Sequence, residues 1–284
     1  PAAHCGLFGL KPSYGRVPAW PFGGQGTLSH VGPMTRTVLD AALFMDVVAR
    51  PDLRDWYALP DDVPDWVAAS EGGVKEWRVA YCPRFGSTPV DAEVASLVAE
   101  AARAFEALGA RVEEVPPPFE DPIDVIMPLW LMGIFGPLGG LPEAEKTKLD
   151  PGLRAWVDEG GRLGTKQLFD ANAARTELGA RMRRFHRDYD ILLTPAVAVT
   201  ALPAGSVVPP GWPLGDNWFT WTPFSYPFNL TQQPAASIPC GFTAADLPVG
   251  LQIVGPHQRD DMVLRAARAY ETVYSIADKR PPLT

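Results

Sequence analysis

The sequence is short of cysteine, and the few it has are scattered. Its 284 residues include three cysteines, Cys5, Cys82 and Cys240, which lie far apart and form no C-x-x-C pair. This spacing argues against a disulfide framework and against a structural zinc site. It is typical of a protein from a reducing compartment. We therefore expect a cytoplasmic protein with no metal and no other cofactor.

Basic charge and long apolar runs are also scarce. The net charge is −8, which argues against a general nucleic-acid surface. No apolar run reaches the roughly 18 residues that a membrane-spanning helix needs. The hydrophobic share of 46% is nevertheless ordinary for a globular domain. We expect neither nucleic acid nor a membrane among the partners.

Proline is abundant, and it marks two long connections. The chain has 31 prolines, well above an average use of about 5%. Residues 50–73 and 203–221 combine proline with aspartate, glycine or tryptophan and show no periodic pattern. The sequence predicts a long ordered loop at each place.

A strand–helix–strand unit is the clearest local pattern. Residues 77–83 read as a buried strand, and residues 91–110 as an amphipathic helix that begins at Asp91 and ends near Gly109. Residues 111–118 return as a second strand. Two strands joined through a helix are expected to be parallel, with a right-handed crossover.

The rest of the chain continues the alternation of helices and strands. Further helices are predicted over 35–49, 143–160, 165–188 and 260–274, and further strands over 190–196, 236–242 and 249–256. Residues 121–140 are apolar but broken by glycine and proline, and no element is predicted there. The predicted fold class is α/β: a layered α/β/α sandwich around a mixed, largely parallel sheet.

Four blocks of the chain resemble the amidase signature family. Residues 1–18, PAAHCGLFGLKPSYGRVP, resemble the segment after its nucleophilic serine, where G-G-S-[IV]-R-x-P-A leads into C-G-x-x-G-L-K-P-[ST]-x-G-R-V. Residues 32–49 resemble its G-P-[ML]-x-R-[ST]-V-x-D helix, and residues 188–196 its Y-D-[VI]-L-L-x-P strand. Residues 222–256 resemble its P-x-N-x-x-G-x-P-A-x-S-[VI]-P-x-G…L-P-[VI]-G-[LV]-Q close. The four blocks occur in the family's order over nearly the whole chain.

The resemblance implies amide chemistry by a serine nucleophile, a second serine in a cis peptide and a lysine. The nucleophile is expected about three residues before Pro1, and neither G-G-S nor S-S-G-S occurs in the chain. We therefore expect no catalytic residue within residues 1–284 and an inactive isolated chain. The expected domain is 1–284, the C-terminal part of a single amidase-signature domain, incomplete relative to the family fold. Its expected partners are the N-terminal part of the same polypeptide, a small amide substrate and a possible second copy in a homodimer.

Two residues near the start of the chain resemble catalytic groups but are interpreted as structural. Lys11 lies after the expected nucleophile, whereas the catalytic lysine of the family precedes it. We interpret Lys11 as a lysine that extends to solvent at the end of a strand. Cys5 has no histidine and aspartate context, and we expect a small apolar core residue there.

The resemblance also points to a substrate pocket with aromatic walls. Thr222 stands where the glutamine-using members carry an aspartate, and a threonine cannot bind an ammonium group as a carboxylate does. The residues expected to bind substrate are Thr222, Trp218, Phe219, Trp130, Ile134 and Trp156. This composition favours an apolar, aryl or aliphatic acyl group.

Three functions therefore remain open from the sequence. The first is the C-terminal part of an amidase that hydrolyses small carboxamides by Ser-cisSer-Lys acyl-enzyme chemistry. The second is an amidotransferase A-type subunit that acts on glutamine for tRNA amidation. The third is a non-catalytic remnant used for binding or assembly.

Overall fold

One mixed sheet of seven strands organises the part of the chain that is described. The computed structural model describes residues 1–63, 65–276 and 278–280. The strands are β1 (Phe8–Lys11), β2 (Met34–Thr35), β3 (Arg78–Tyr81), β4 (Arg111–Glu114), β5 (Ile191–Pro195), β6 (Ala235–Phe242) and β7 (Pro248–Val254). Their order across the sheet is β2-β1-β6-β7-β5-β3-β4.

The parallel part of the sheet is smaller than the sequence predicts. Strand β3 pairs in parallel with β4 and with β5, which confirms the predicted strand–helix–strand unit. The β6–β7 hairpin is antiparallel, and so are the β5–β7, β1–β6 and β1–β2 pairs. A mixed sheet is confirmed, but "largely parallel" is wrong. The β6–β7 hairpin reverses the chain direction at the centre of the sheet. Its two neighbours, β1 and β5, also pair with it in antiparallel fashion, so only the β3 pairs remain parallel.

Helices cover both faces of the sheet. They are α1 (Ala2–Cys5), α2 (Val38–Val48), α3 (Trp66–Ala69), α4 (Ala92–Ala107), α5 (Ile123–Leu138), α6 (Glu143–Lys146), α7 (Pro151–Gly160), α8 (Thr165–Phe185), α9 (Tyr226–Leu230) and α10 (Asp260–Val273). Helices α2, α4 and α10 pack on one face of the sheet, which we call the first face, and form the first apolar core with it. Helices α5, α8 and α9 pack on the opposite, second face and form the second apolar core. The layered α/β/α sandwich is confirmed. Within the residues described, no helix is both long enough and apolar enough to cross a membrane.

Helix α4 shows how closely the sequence can define an element. The Asp91 carboxylate accepts from the backbone amides of Glu93 and Val94, which would otherwise have no partner in the first turn. Its buried stripe includes Val98 and Phe105, seven residues apart on one face. The helix therefore begins where the sequence predicts.

Helix α5 is the main element that the sequence prediction missed. It runs through Pro128 and Pro137, each of which removes a backbone donor from the helix. Ile126 and Leu129 are buried in the second core, and this burial stabilises the helix despite the prolines. Tertiary packing therefore overrides the local signal that predicted an irregular segment.

Short helical turns also occur inside the two predicted loops. The connection 50–73 contains α3, whose Trp66 is buried in the first core. The connection 203–221 ends in a 3₁₀ turn at Trp218–Trp221. The other residues described in these two segments lack regular structure, as predicted.

Candidate active site

A row of small and polar residues crosses the second face of the sheet. Along β6 and β7, Ala236, Ile238, Leu251 and Ile253 face the first core. Because side chains alternate along a strand, the residues between them face the other side. The residues of this row are register partners across four adjacent strands: Gly9 with Ser237, Ser237 with Gln252, and Gln252 with Thr194.

Helix α1 packs directly on two glycines of this face of the sheet. A Cβ added at Gly9 would lie 2.5 Å from Ala2 Cβ, and one at Gly250 would lie 2.9 Å from Ala3 Cβ. Real carbon atoms do not approach this closely, so only glycine allows the helix to lie so near the sheet. The first residues of the chain are thereby fixed above the polar row.

A cavity of about 300 Å³ lies between α1, the sheet and α9. This is the lower end of the volume range of small-ligand sites. The polar side chains that line it come from β1, β6, β7, α9 and two loops: Lys11, His30, Ser225, Asn229, Ser237 and Gln252. We call this space the α1 cavity.

Lys11 faces the α1 cavity from the end of β1. Its Nζ donates a hydrogen bond to the carbonyl oxygen of Gln233. Burial lowers the pKa of Lys11 to about 7, although the nearby Asp260 carboxylate opposes the shift. The interpretation of Lys11 as a side chain extending to solvent is wrong, because the side chain is partly buried at the cavity and its amine is bonded to a backbone carbonyl.

His30, in the loop before β2, lines the α1 cavity and is held in one tautomer. Its Nδ1 lies 2.9 Å from the carbonyl oxygen of Leu28. A carbonyl oxygen only accepts, so Nδ1 carries the proton. Burial, together with the positive charge of Lys11, lowers the pKa of His30 to about 2. The ring is therefore neutral, and Nε2 is a buried acceptor that has no partner in the described part of the chain.

The Gln252 amide is fixed by two hydrogen bonds. Its Nε2 donates to Thr194 Oγ1 and to the Phe224 carbonyl oxygen, each at 2.8 Å. Across the β6–β7 pair, Ser237 Oγ is buried and lacks a partner among the described residues. The floor of the cavity thus carries one fixed amide, and the unpaired Ser237 hydroxyl is buried beside it.

The residues predicted to bind substrate form a separate aromatic cluster. Trp130, Trp156, Trp218 and Phe219 contact one another with ring centroids 4.0 to 6.4 Å apart. Ile134 is buried one turn after Trp130 on α5. None of these residues lines the α1 cavity.

The aromatic cluster adjoins the α1 cavity through α9. The ring of Phe219 meets that of Tyr226 at 5.4 Å, and the preceding residue, Ser225, lines the cavity. The Tyr226 hydroxyl donates to the Asp121 carboxylate, which also accepts from the backbone amide of Ile123 at the start of α5. Helix α9 therefore lies between the aromatic cluster and the α1 cavity.

Thr222 is buried beneath the aromatic cluster. Its Oγ1 lies 3.3 Å from the Phe219 carbonyl oxygen and 3.4 Å from that of Trp218. The side chain thus contributes no charge there. Arg154, on the helix that carries Trp156, pairs with Glu143 and Asp158 at the surface.

Sequence reasoning missed the polar lining of the cavity. The available signal was the alternation in β6 and β7, where Ser237 and Gln252 interrupt otherwise apolar strands. His30 lies in a loop and gave no periodic signal. Cys5 was expected in the core but is exposed at the end of α1, because the short helix ends at the surface. Among the described residues, no group of three His, Cys, Asp or Glu side chains could hold a metal ion.

The match to a known family now has a structural context. The profile of the Amidase family matches residues 1–264. The chain belongs to this family, the amidase signature enzymes. An acylamidase of Rhodococcus erythropolis is 36% identical over 99% of the chain. The A-type subunit of the glutamyl-tRNA(Gln) amidotransferase of Myxococcus xanthus is 34% identical over 100% of it.

Solved structures agree with this membership. The crystal structure of a bacterial aryl acylamidase of the amidase signature family aligns with 99% of the chain, at 28% identity and a TM-score of 0.83. The chain spans 60% of the length of the Rhodococcus relative, 63% of the Myxococcus relative and 62% of the aryl acylamidase.

Proposed function

We propose that this chain forms the scaffold and the substrate pocket of an amidase that hydrolyses small carboxamides. The observation that carries the proposal is the α1 cavity, whose polar wall adjoins an aromatic cluster through α9. The polar side chains of the cavity suit the carboxamide group, and we propose an apolar, aryl or aliphatic acyl group next to it. The similarity to acylamidases supports the same substrate class.

The proposed chemistry is acyl transfer to a serine hydroxyl and then to water. The hydroxyl oxygen attacks the amide carbon, the C–N bond breaks, and the proton leaves with the amine. Water then attacks the acyl ester, which releases the carboxylic acid and regenerates the hydroxyl. We propose that the nucleophile, the second serine and the lysine lie before Pro1, with that segment as the expected partner.

An amidotransferase subunit is the second candidate, because such a subunit is 34% identical over the full chain. Thr222 counts against it. The aspartate expected for glutamine at this place is replaced by a buried hydroxyl directed at backbone carbonyls. Without a carboxylate there, the ammonium group of glutamine lacks its expected counter-ion.

A substrate panel separates these candidates. The 284-residue chain and the longer protein that contains it are assayed for release of ammonia or amine from benzamide, hexanamide and glutamine. We expect the longer protein to hydrolyse the apolar amides faster than glutamine and the 284-residue chain to be inactive. Faster turnover of glutamine would favour the amidotransferase. Substrate binding without turnover by either protein would favour a non-catalytic role.

A further inference from the structure

Strands β3 and β4 end side by side, but the chain leaves them in opposite directions. The two strands are parallel, and their last residues, Tyr81 and Glu114, are register partners. The chain continues from β3 to α4 on the first face of the sheet and from β4 to α5 on the second face. In open α/β sheets, a divergence of this kind leaves a crevice outside the carboxyl ends of the strands, and ligands bind in such crevices.

A crevice of about 680 Å³ lies at this place. Its volume is within the range of small-ligand sites. One wall is the loop at residues 83–90, and the other is α4, where the small side chains of Ala95 and Ala99 lie one turn apart and leave room. The crevice shares no lining residue with the α1 cavity. We call this space the β3–β4 crevice.

Two side chains of opposite charge line the β3–β4 crevice without an ion pair. Arg84 and Glu114 are both exposed, and neither pairs with a charged side chain within the described residues. The adjacent carboxylate on β4, that of Glu113, does have a partner, because it accepts from the Tyr189 hydroxyl at 2.9 Å. One cation and one anion that face the same crevice complement a ligand that carries both charges.

The rest of the lining is uncharged. Burial, together with the nearby Glu114 carboxylate, raises the pKa of Tyr81 to about 12, so its phenol is neutral at pH 7. Val90, Ala95 and Ala99 provide an apolar surface in the same crevice. This surface suits an aliphatic group next to the two charged groups.

We propose that the β3–β4 crevice binds an α-amino acid with an aliphatic side chain, with its carboxylate on Arg84 and its ammonium group on Glu114. A guanidinium presents two parallel N–H donors that match the two oxygens of a carboxylate. A simple anion would be attracted by Arg84 but repelled by Glu114, and a simple cation would meet the reverse, so the pair favours a zwitterion. The proposed site is separate from the amide chemistry and does not depend on it.

Binding of three related probes tests each charged contact. The 284-residue chain is titrated calorimetrically with L-leucine, with N-acetyl-L-leucine, which lacks the ammonium group, and with L-leucinamide, which lacks the carboxylate. We expect leucine to bind about 3- to 10-fold more tightly than either analogue, the value of one charged contact at a partly exposed site.

Variants of the crevice assign the two contacts. Arg84→Gln should remove the preference for leucine over leucinamide, and Glu114→Gln the preference over N-acetyl-leucine, while each keeps the other preference. Ala99→Leu fills the crevice without a change of charge and should weaken binding of all three probes. Arg162→Gln and Glu106→Gln are matched controls at exposed side chains outside the crevice, and both preferences should stay unchanged in them.

Three outcomes would overturn the inference: no binding of leucine, equal affinity for the three probes, or preferences that neither charge variant changes. Tighter binding of inorganic phosphate than of leucine would also overturn it, in favour of a simple anion site. The titration requires no turnover, so a negative result would leave the proposed amidase function in place.

Discussion

At the scale of single residues, buried charge is concentrated where the segment after β1 meets the start of α10. The Asp260 carboxylate is fully buried at the start of α10 and accepts from the backbone amide of Ser13 at 2.6 Å. It also lies 3.4 Å from Arg16 Nε, and that guanidinium lies over the ring of Trp66. One carboxylate thus holds the segment after β1 against the last helix.

Removing this carboxylate should be costly. We expect Asp260→Ala to lower the free energy of unfolding by about 1–3 kcal/mol, because it leaves the buried Ser13 amide without its acceptor and removes one of the two carboxylates that pair with Arg16, which keeps its ion pair with Asp62. The measurement is urea denaturation followed by circular dichroism.

The neighbouring residue is a matched control. Asp261 pairs with Arg259 near the surface, and Asp261→Ala should cost no more than about 1 kcal/mol. Equal losses in the two variants would mean that the buried carboxylate has no special role.

At the scale of elements, α5 depends on a close contact with the loop at residues 23–26. A Cβ at Gly133 would lie 2.5 Å from Gln25 Oε1 and 2.9 Å from the Gly24 carbonyl oxygen. A Cβ at Gly136, about one turn on, would meet nothing within 4 Å. The two glycines of one helix thus have opposite surroundings.

This contrast predicts opposite effects of the same substitution. Gly133→Ala should destabilise the protein by about 1–3 kcal/mol, because the loop must move. Gly136→Ala should stabilise it by up to about 1 kcal/mol, the helix propensity gained over glycine. Thermal unfolding of both variants measures the difference, and a stabilising Gly133→Ala would rule out the contact.

At the scale of the whole molecule, one sheet couples two apolar cores. On β5, Leu192 faces the core with α5, α8 and α9, and Leu193 faces the core with α2, α4 and α10. Both side chains are fully buried. Because the same strand carries both, loss of either core should release the other.

Coupling of this kind predicts a single unfolding transition. Leu192→Ala and Leu193→Ala should each cost about 2–5 kcal/mol and shift one common midpoint, seen alike by circular dichroism and tryptophan fluorescence. Leu53→Ala, at a fully exposed leucine, should change stability by less than about 0.5 kcal/mol. Separate transitions for the two probes would mean that the cores unfold independently.

The candidate site was only partly accessible from the sequence. The aromatic residues Trp130, Trp156, Trp218 and Phe219 were predicted as one group, and the structure does bring them together. Their role in substrate binding stays a prediction. The α1 cavity was not foreseen, because its wall is assembled from segments far apart in the chain, and no local pattern encodes that meeting.

The sequence by itself determined the family, the strand–helix–strand unit and the start of α4, because motifs, capping residues and apolar periodicity are local and act at short range. Only the tertiary structure decided that α5 is helical through its prolines, that the Lys11 amine is bonded to a backbone carbonyl, and that Gln252 and His30 share one cavity. Those outcomes depend on which distant surfaces exclude water together, and burial of that kind is a property of the packed chain.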